Sequence, residues 1–224
     1  MTFSLVARCQ ETGMLGTAVT SSSPAVAARC SYTRSGVGAV SSQNVTDPSL
    51  GTLSLDLLEK GLSTDEVINE IKKSSKHMKY RQVLIIDAKG QTAIHSGEKS
   101  LGIWSEAKGK NILSAGNLLA NDNVPKAIIK EFQNTSGHLG DRLIAALKAG
   151  LDAGGEAGSI HSAGMKISEK VSWPIIDLRC DWTNDCPVIK LSEAWKIYKP
   201  QVKDYVQRAL DPSQAPAYGV PGDK

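Results

Sequence analysis

The first eight residues, MTFSLVAR, alternate between apolar and polar side chains. Phe3, Leu5 and Ala7 fall on one side of an extended chain, and polar residues that include Thr2 fall on the other. This period of two predicts a half-buried β-strand that begins at the second residue. Because residues near a chain end are usually frayed, a strand that starts at Thr2 indicates that this residue is held in a sheet.

Further strand-like segments follow in pairs joined by short turns. Residues 2–8 and 15–21 are separated by CQETGM, in which Gly13 can take a positive φ. Residues 81–97, RQVLIIDAKGQTAIHSG, contain two strands around a turn, and 159–181 contain a last pair around SEK. Strands joined by short turns pair antiparallel, so we expect mainly antiparallel sheets.

Helical patterns occur in blocks between the strand pairs. Residues 49–61, 63–73, 123–137 and 140–155 carry apolar residues at helical spacing, and three of these segments end in glycine. Ser63 and Glu66, at the start of the second segment, form the pattern of a capping box. The order of strands and helices predicts an α+β protein whose sheets are covered by helical layers.

The chain shows no linker before residue 190. We therefore expect one domain over residues 1–190 and a helical, Pro/Gly-rich extension over residues 191–224, with its helix kinked or broken at Pro200. Val202, Val206 and Leu210 form an apolar side on that extension. An apolar stripe outside the core is typical of an interface, so a homodimer or larger assembly is expected.

Composition and motifs argue against several functional classes. The net charge is +3, basic and acidic residues are interleaved, and aromatic residues make up 5% of the chain, so nucleic-acid binding is not expected. The chain has no apolar run of about 18 residues and no signal-peptide pattern, so neither a membrane span nor export is expected and a cytoplasmic protein is predicted. The four cysteines lack zinc spacing, and no dinucleotide or phosphate-loop motif occurs. We expect neither a metal nor a cofactor.

Thr2 itself suggests a chemistry. If the initiator methionine is removed, Thr2 acquires a free α-amine with an ordinary pKa near 7.7–8.0. That amine can accept the proton of the threonine hydroxyl, directly or through one water, so that nucleophile and base lie in one residue. Such a site needs neither histidine nor carboxylate, which suits a chain without a triad motif.

Several segments resemble one bacterial family along nearly the whole chain. MTFSLVARCQETGMLGTAVTSS, RQVLIIDAKGQTAIHSG, AGNLLA and PIIDLRCD resemble successive blocks of the domain of unknown function 1028 family, which is grouped with the N-terminal nucleophile (Ntn) hydrolases. The resemblance implies a four-layer αββα sandwich of two antiparallel sheets. It also implies cleavage of a small-molecule amide through an acyl-enzyme.

The resemblance further implies a set of site residues. On its template Thr2 is the nucleophile, Asn117 donates a hydrogen bond to the oxyanion, and Ser21 bonds the α-amine. Ser21 is placed opposite Thr2 by the hairpin itself. The residues expected to bind substrate are polar or basic, and they are Gln43, Asn44, Arg81, His95 and Ser162.

Two functions of different classes therefore stay open. The first is an amidohydrolase with an N-terminal threonine nucleophile. The alternative is a non-catalytic small-molecule-binding or assembly protein on the same fold, in which Thr2 is merely the first residue of a strand. The catalytic hypothesis requires the loss of Met1, and the alternative does not.

Overall fold

The computed structural model describes residues 1–220, which form an α+β fold with two antiparallel sheets. The larger sheet has six strands in the spatial order β10 (Ile176–Cys180), β9 (Ser162–Ser168), β2 (Leu15–Ser21), β1 (Thr2–Arg8), β8 (Ile112–Asn117) and β7 (Ser105–Gly109). The smaller sheet has four, in the order β3 (Ser31–Arg34), β4 (Gly38–Asn44), β5 (Arg81–Asp87) and β6 (Thr92–Ser96). The α-helices are α1 (Val26–Cys30), α2 (Ser49–Glu59), α3 (Thr64–Ser74), α4 (Val124–Asn134), α5 (Leu139–Asp152), α6 (Pro187–Tyr198) and α7 (Val202–Leu210).

The predicted hairpins are confirmed. Strand β1 pairs with β2, β5 with β6, and β9 with β10, all antiparallel. The capping box also forms, because the Ser63 side chain accepts from the Glu66 backbone while the Glu66 carboxylate accepts from the Ser63 backbone. Sequence patterns did not predict α1, β3 and β7, which span only four or five residues each. Such short elements carry too few periodic positions to stand out.

Strand β1 lies inside the larger sheet, between β2 and β8. Phe3 and Leu5 belong to the core between this sheet and the helices, whereas Val6 belongs to the core between the two sheets. Side chains alternate along a strand, so Thr2 and Ser4 share the inner face with Val6, and both are buried. The expectation of a half-buried strand is therefore wrong, because the second sheet covers the polar face.

Of the four apolar clusters in residues 1–220, three hold the layers together, and the fourth is a small one that packs α1 against Val19. The first lies between the larger sheet and α4, α5 and α6, and it includes Phe3, Phe132, Leu147 and Trp195. The second lies between the smaller sheet and α2 and α3, and it includes Val40, Val67, Ile71 and Ile85. The third joins the two sheets through Val6, Leu15, Ala39, Leu84, Ile86, Leu113 and Ala115. Apolar side chains thus hold the sheets to each other and to the helices outside them.

The C-terminal segment packs more closely than the sequence suggested. Helix α6 crosses residue 190, where the domain boundary is predicted, and it ends before a 3₁₀ turn that contains Pro200. Val202 is buried in the first cluster and Val206 packs against it, while Leu210 is exposed. Two of the three apolar residues expected to face a partner therefore contact their own core.

In residues 1–220, no helix combines the length and apolar character needed to cross a membrane.

Replacing Phe3 with alanine should test how far β1 supports the fold. The Phe3 side chain is fully buried, and emptying such a site costs roughly 3–5 kcal/mol through lost burial and the cavity left behind. Urea denaturation should show this loss in the free energy of unfolding. Val45→Ala is the control, since Val45 is 44% exposed and should change stability by less than about 0.5 kcal/mol. Equal, small losses in both variants would contradict the central position of β1.

Candidate functional site

Polar side chains gather at one end of the space between the sheets. The alternation of each strand turns Thr2 of β1, Ser21 of β2 and Asn117 of β8 towards the smaller sheet, and Gln43 of β4 and Gln82 of β5 towards the larger one. All five side chains are buried. Each lies at or next to the end of its strand, so the five mark one edge of the paired sheets.

Thr2 and Ser21 face each other across the hairpin. They are direct register partners, and the Thr2 Oγ1 lies 3.1 Å from the Ser21 Oγ. Both hydroxyls donate to the carbonyl oxygen of Met1. The Ser21 Oγ also accepts from the backbone N–H of Ser23 at 3.1 Å. The peptide before Thr2 is therefore held by the same hydroxyls that the sequence predicted for the site.

An amide network connects the two sheets behind Thr2. The Gln82 Oε1 accepts from the Gln43 Nε2 at 2.7 Å and from the Asn117 Nδ2 at 3.4 Å. The Gln82 Nε2 in turn donates to the Ser96 Oγ at 3.0 Å. Asn117 is the register partner of Thr2 on β8. The long bond to Gln82 keeps the Asn117 amide on the inner face, and within residues 1–220 its Nδ2 has no second acceptor.

Sequence patterns did not single out Gln82. It lies two residues before Leu84, whose side chain is in the core between the sheets, so the alternation along β5 turns Gln82 to the same face. An amide in a strand is compatible with an exposed edge as well as with a buried network. The structure shows that Gln82 is part of a buried network, because its Nε2 also lies 3.4 Å from the carbonyl of Gly116, which is on β8 of the other sheet.

Glu156 adds a buried carboxyl group next to this cluster. It forms a bridge with Leu119, just after β8, and its Oε2 accepts from the Ser22 backbone N–H at 3.1 Å. Burial raises the pKa of Glu156 to about 8, although the N-terminal ammonium and the Ser22 bonds act in the opposite direction. Its Oε1 is buried with no hydrogen-bond partner in residues 1–220. The loop sequence GGEAGS gives no sign of this burial.

A cavity of about 280 Å³ opens beside Thr2. This is near the lower end of the range for small-molecule sites, roughly 300–1,000 Å³. Its lining includes Thr2, Ser23, Arg29, Asn44 and Thr46. The Arg29 guanidinium donates to the Ser23 Oγ at 2.9 Å, so a fixed positive charge lies in the cavity wall. Sequence reasoning missed Arg29 because α1, which carries it, was not predicted.

Among the predicted substrate-binding residues, Asn44 lines this cavity and Arg81 does not. Asn44 has a φ of 74°, and its Nδ2 donates to the Tyr80 carbonyl at 2.6 Å. Asparagine tolerates this left-handed conformation better than most residues. The Arg81 guanidinium donates to the Val45 carbonyl and lies 4.0 Å from the Asp47 carboxylate. Asn44 therefore fastens the end of β4 to the segment that precedes β5, and Arg81 fastens the start of β5 to the segment that follows β4.

His95 and Ser162 lie outside the cavity lining, and so do Gln43, Ser21 and Asn117, which lie behind Thr2 in the layer between the sheets. The His95 Nε2 bonds the Met78 carbonyl at 2.9 Å, and burial lowers the pKa of its imidazole. The Ser162 Oγ donates to the Ser23 carbonyl at 2.6 Å and accepts from the Val26 backbone at 3.2 Å. Ser162 thus shapes the turn that leads into α1, and reaches the cavity only through that turn.

In the part of the chain that the structure describes, no group of three or more His, Cys, Asp or Glu side chains could hold a metal ion.

Comparison with known proteins places the chain in a family. Residues 2–191 match the model of a family of unknown function, DUF1028. The chain belongs to this family. A crystal structure of protein SPO2555 from Silicibacter pomeroyi, which also matches the DUF1028 model, is 24% identical, with 92% of this chain and 94% of that one covered and a TM-score of 0.85. The DUF1028 chain and SPO2555 therefore share a fold.

Two other solved structures are more distant from the DUF1028 chain. Anbu (ancestral beta-subunit) from Yersinia bercovieri is 10% identical, with 92% of this chain and 97% of that one covered and a TM-score of 0.39. Anbu from Hyphomicrobium sp. strain MC1 is 11% identical, with 97% and 100% covered and a TM-score of 0.40. No curated protein matches the sequence.

The buried Glu156 predicts how stability depends on pH. Its pKa in the folded protein is about 8 against an ordinary 4.5, so the folded state holds a proton that the unfolded chain releases between these values. The contribution of Glu156 to the free energy of unfolding should therefore fall by roughly 1–4 kcal/mol as pH rises from about 5 to about 8. Urea denaturation at both pH values isolates this contribution as the difference between the wild type and Glu156→Gln, because the lowered pKa of His95 adds a change of opposite sign to both proteins.

The control for this experiment is Glu98→Gln, because Glu98 is exposed. This variant should show the same change in stability between the two pH values as the wild type. A Glu156→Gln profile that is as steep as that of the wild type would show that other groups cause the pH dependence.

Proposed function

We propose that this DUF1028 chain is an amidohydrolase that cleaves a small-molecule amide with Thr2 as an N-terminal nucleophile. The observation that carries the proposal is the position of Thr2, which lines a cavity, has its hydroxyl 3.1 Å from the Ser21 hydroxyl and lies on the strand next to Asn117. In this proposal the two sheets and the helices outside them form the four-layer αββα sandwich of the Ntn hydrolases.

The first requirement is the removal of Met1. Its carbonyl accepts from the Thr2 and Ser21 hydroxyls, so its loss frees both hydroxyls as well as the Thr2 α-amine. The amine has an ordinary pKa near 7.7–8.0 and is therefore partly unprotonated at neutral pH. It then accepts the proton of the Thr2 Oγ1, and Ser21 orients the pair by hydrogen bonding.

The reaction then follows from the contacts of the site. The Thr2 Oγ1 attacks the amide carbonyl carbon while its proton passes to the α-amine. The oxyanion that develops accepts a hydrogen bond from the second N–H of the Asn117 amide, a donor that Gln82 already holds in place. Collapse of the tetrahedral intermediate transfers the proton to the departing amine and leaves an ester on Thr2. Water hydrolyses this ester and restores the hydroxyl.

The cavity suggests the class of amide. Its small volume admits a compact substrate, and the Arg29 guanidinium in its wall suits a substrate with a carboxylate. Asn44 and Thr46 add polar groups that can bond the rest of a polar molecule. We propose a small amide that also carries a free carboxylate, and we propose that the protein acts as a homodimer or larger assembly.

Replacing Thr2 with alanine should abolish turnover and leave the fold intact. The variant lacks the attacking oxygen, and loss of a triad nucleophile lowers kcat by about 10⁴–10⁶-fold. The measurement is a screen of small carboxylate-bearing amides with wild type and variant, together with intact-mass spectrometry for the loss of Met1 and for acylated Thr2. Thr2→Ser should keep partial activity.

Ser4→Ala is the matched control, since Ser4 is a buried hydroxyl on the same face of the same strand and lies outside the cavity lining. It should turn over substrate at close to the wild-type rate. Near-normal activity of Thr2→Ala would contradict the proposal. Retention of Met1 in a protein that binds amides without cleaving them would favour the non-catalytic alternative.

Replacing Asn117 with alanine should separate oxyanion stabilisation from binding. A preorganised donor strengthens its bond as charge develops, so its loss should lower kcat by about 10²–10³ with little change in KM. Steady-state kinetics measure both constants, and Asn134→Ala, an exposed asparagine at the end of α4, is the control. A raised KM with unchanged kcat, or a variant that no longer folds, would contradict the oxyanion role.

A further inference from the structure

A basic groove lies among the turns at the Arg8 end of β1, which is the end of the sheets away from Thr2. Thr2 begins β1 and Arg8 ends it, about 20 Å away at the usual rise of a strand. Around Arg8 lie two lobes of about 480 and 550 Å³, which share Arg8, Gln10, Lys110 and Asn111 as a common wall. The groove is therefore a second concave surface, remote from the cavity beside Thr2.

Basic side chains from distant parts of the sequence meet in this groove. Arg8 and Lys110 lie in the common wall, Arg142 lines the first lobe, and Lys89 and Lys108 line the second. The lining contains one carboxylate, that of Glu11. Five cations against one anion give the groove a charge of +4, whereas the whole chain carries +3. The even spread of charge along the sequence thus becomes a concentrated positive region in the fold.

These cations are available to a ligand. Within residues 1–220, none of the five forms an ion pair. Two of them are also held in place. The Arg8 Nε donates to the Ala88 carbonyl at 2.6 Å, and the Arg142 guanidinium lies over the Phe132 ring at 3.9 Å while donating to its carbonyl at 3.0 Å.

Arg142 also has a donor that its own chain does not use. Its Nε is buried and has no hydrogen-bond partner in the described residues. Arg142 nevertheless lines the first lobe, and a guanidinium held in place at a concave surface is suited to bind phosphate and carboxylate oxygens.

We propose that this groove binds a small, multiply charged phosphate anion of the pyrophosphate or triphosphate class. Two lobes on either side of Arg8 and Lys110 match a ligand with more than one charged group. The residues that line the lobes include no aromatic side chain on which a base could stack. Recognition therefore rests on the phosphate groups, and a nucleoside is not required. The site is independent of the proposed amidohydrolase activity.

Calorimetric titration of the full-length protein with inorganic pyrophosphate and with tripolyphosphate, at constant ionic strength, tests the site. We expect saturable binding of one anion per chain. Lys110→Gln removes an exposed charge from the common wall and should weaken binding about fivefold, which corresponds to about 1 kcal/mol. Glu11→Gln removes the single carboxylate of the lining and should tighten binding. Lys108→Gln serves as a second variant if Lys110→Gln does not fold.

Lys76→Gln is the matched control, because Lys76 is exposed and lies outside both lobes. Its affinity should equal that of the wild type. The absence of saturable binding would overturn the proposal, and so would an equal loss of affinity in Lys76→Gln and Lys110→Gln, which would indicate diffuse charge attraction. Citrate that binds as tightly as pyrophosphate would overturn the assignment to phosphate.

Discussion

The burial of both faces of β1 is the constraint on which the rest of the structure depends. A strand between two neighbours satisfies its backbone hydrogen bonds, but each face still needs a cover of its own. The helices cover Phe3 and Leu5, and the smaller sheet covers Val6. Since paired sheets pack about 10 Å apart, the side chains between them must be apolar or bonded to each other.

Two kinds of side chain meet this condition in the layer between the sheets, and the buried Thr17 hydroxyl, which has no hydrogen-bond partner in residues 1–220, is an exception. Near the Arg8 end the layer is filled by apolar side chains such as Leu15 and Leu84, whereas near the Thr2 end it holds the amides of Gln43, Gln82 and Asn117. Buried polar groups contribute stability only when they are bonded. Gln82 accepts from both other amides, so it fixes the Asn117 donor that the proposed reaction uses.

Local patterns in the sequence predicted much of the fold. In the candidate site they predicted only the Thr2–Ser21 pair, which a single hairpin forms. The strands and their turns, the capping box at Ser63 and the break at Pro200 all follow from spacing or from one residue type, and the structure contains each of them. The pairing of 2–8 with 15–21 was enough to place Ser21 opposite Thr2. Arg29 and Glu156 were missed because a five-residue helix and a polar loop have no distinctive pattern.

The sequence by itself determined that Thr2 begins a strand, that this strand forms a hairpin, and that the helices come in blocks, because these features depend on neighbours within a few residues. The tertiary structure alone decided that the polar face of β1 is buried, that Gln82 reaches Asn117 from the other sheet, and that the carboxyl group of Glu156 is buried. It also decided that Arg8, Lys110 and Arg142 meet in one groove. These contacts join residues far apart in the chain, and their geometry is set by how two sheets pack, which no local period encodes.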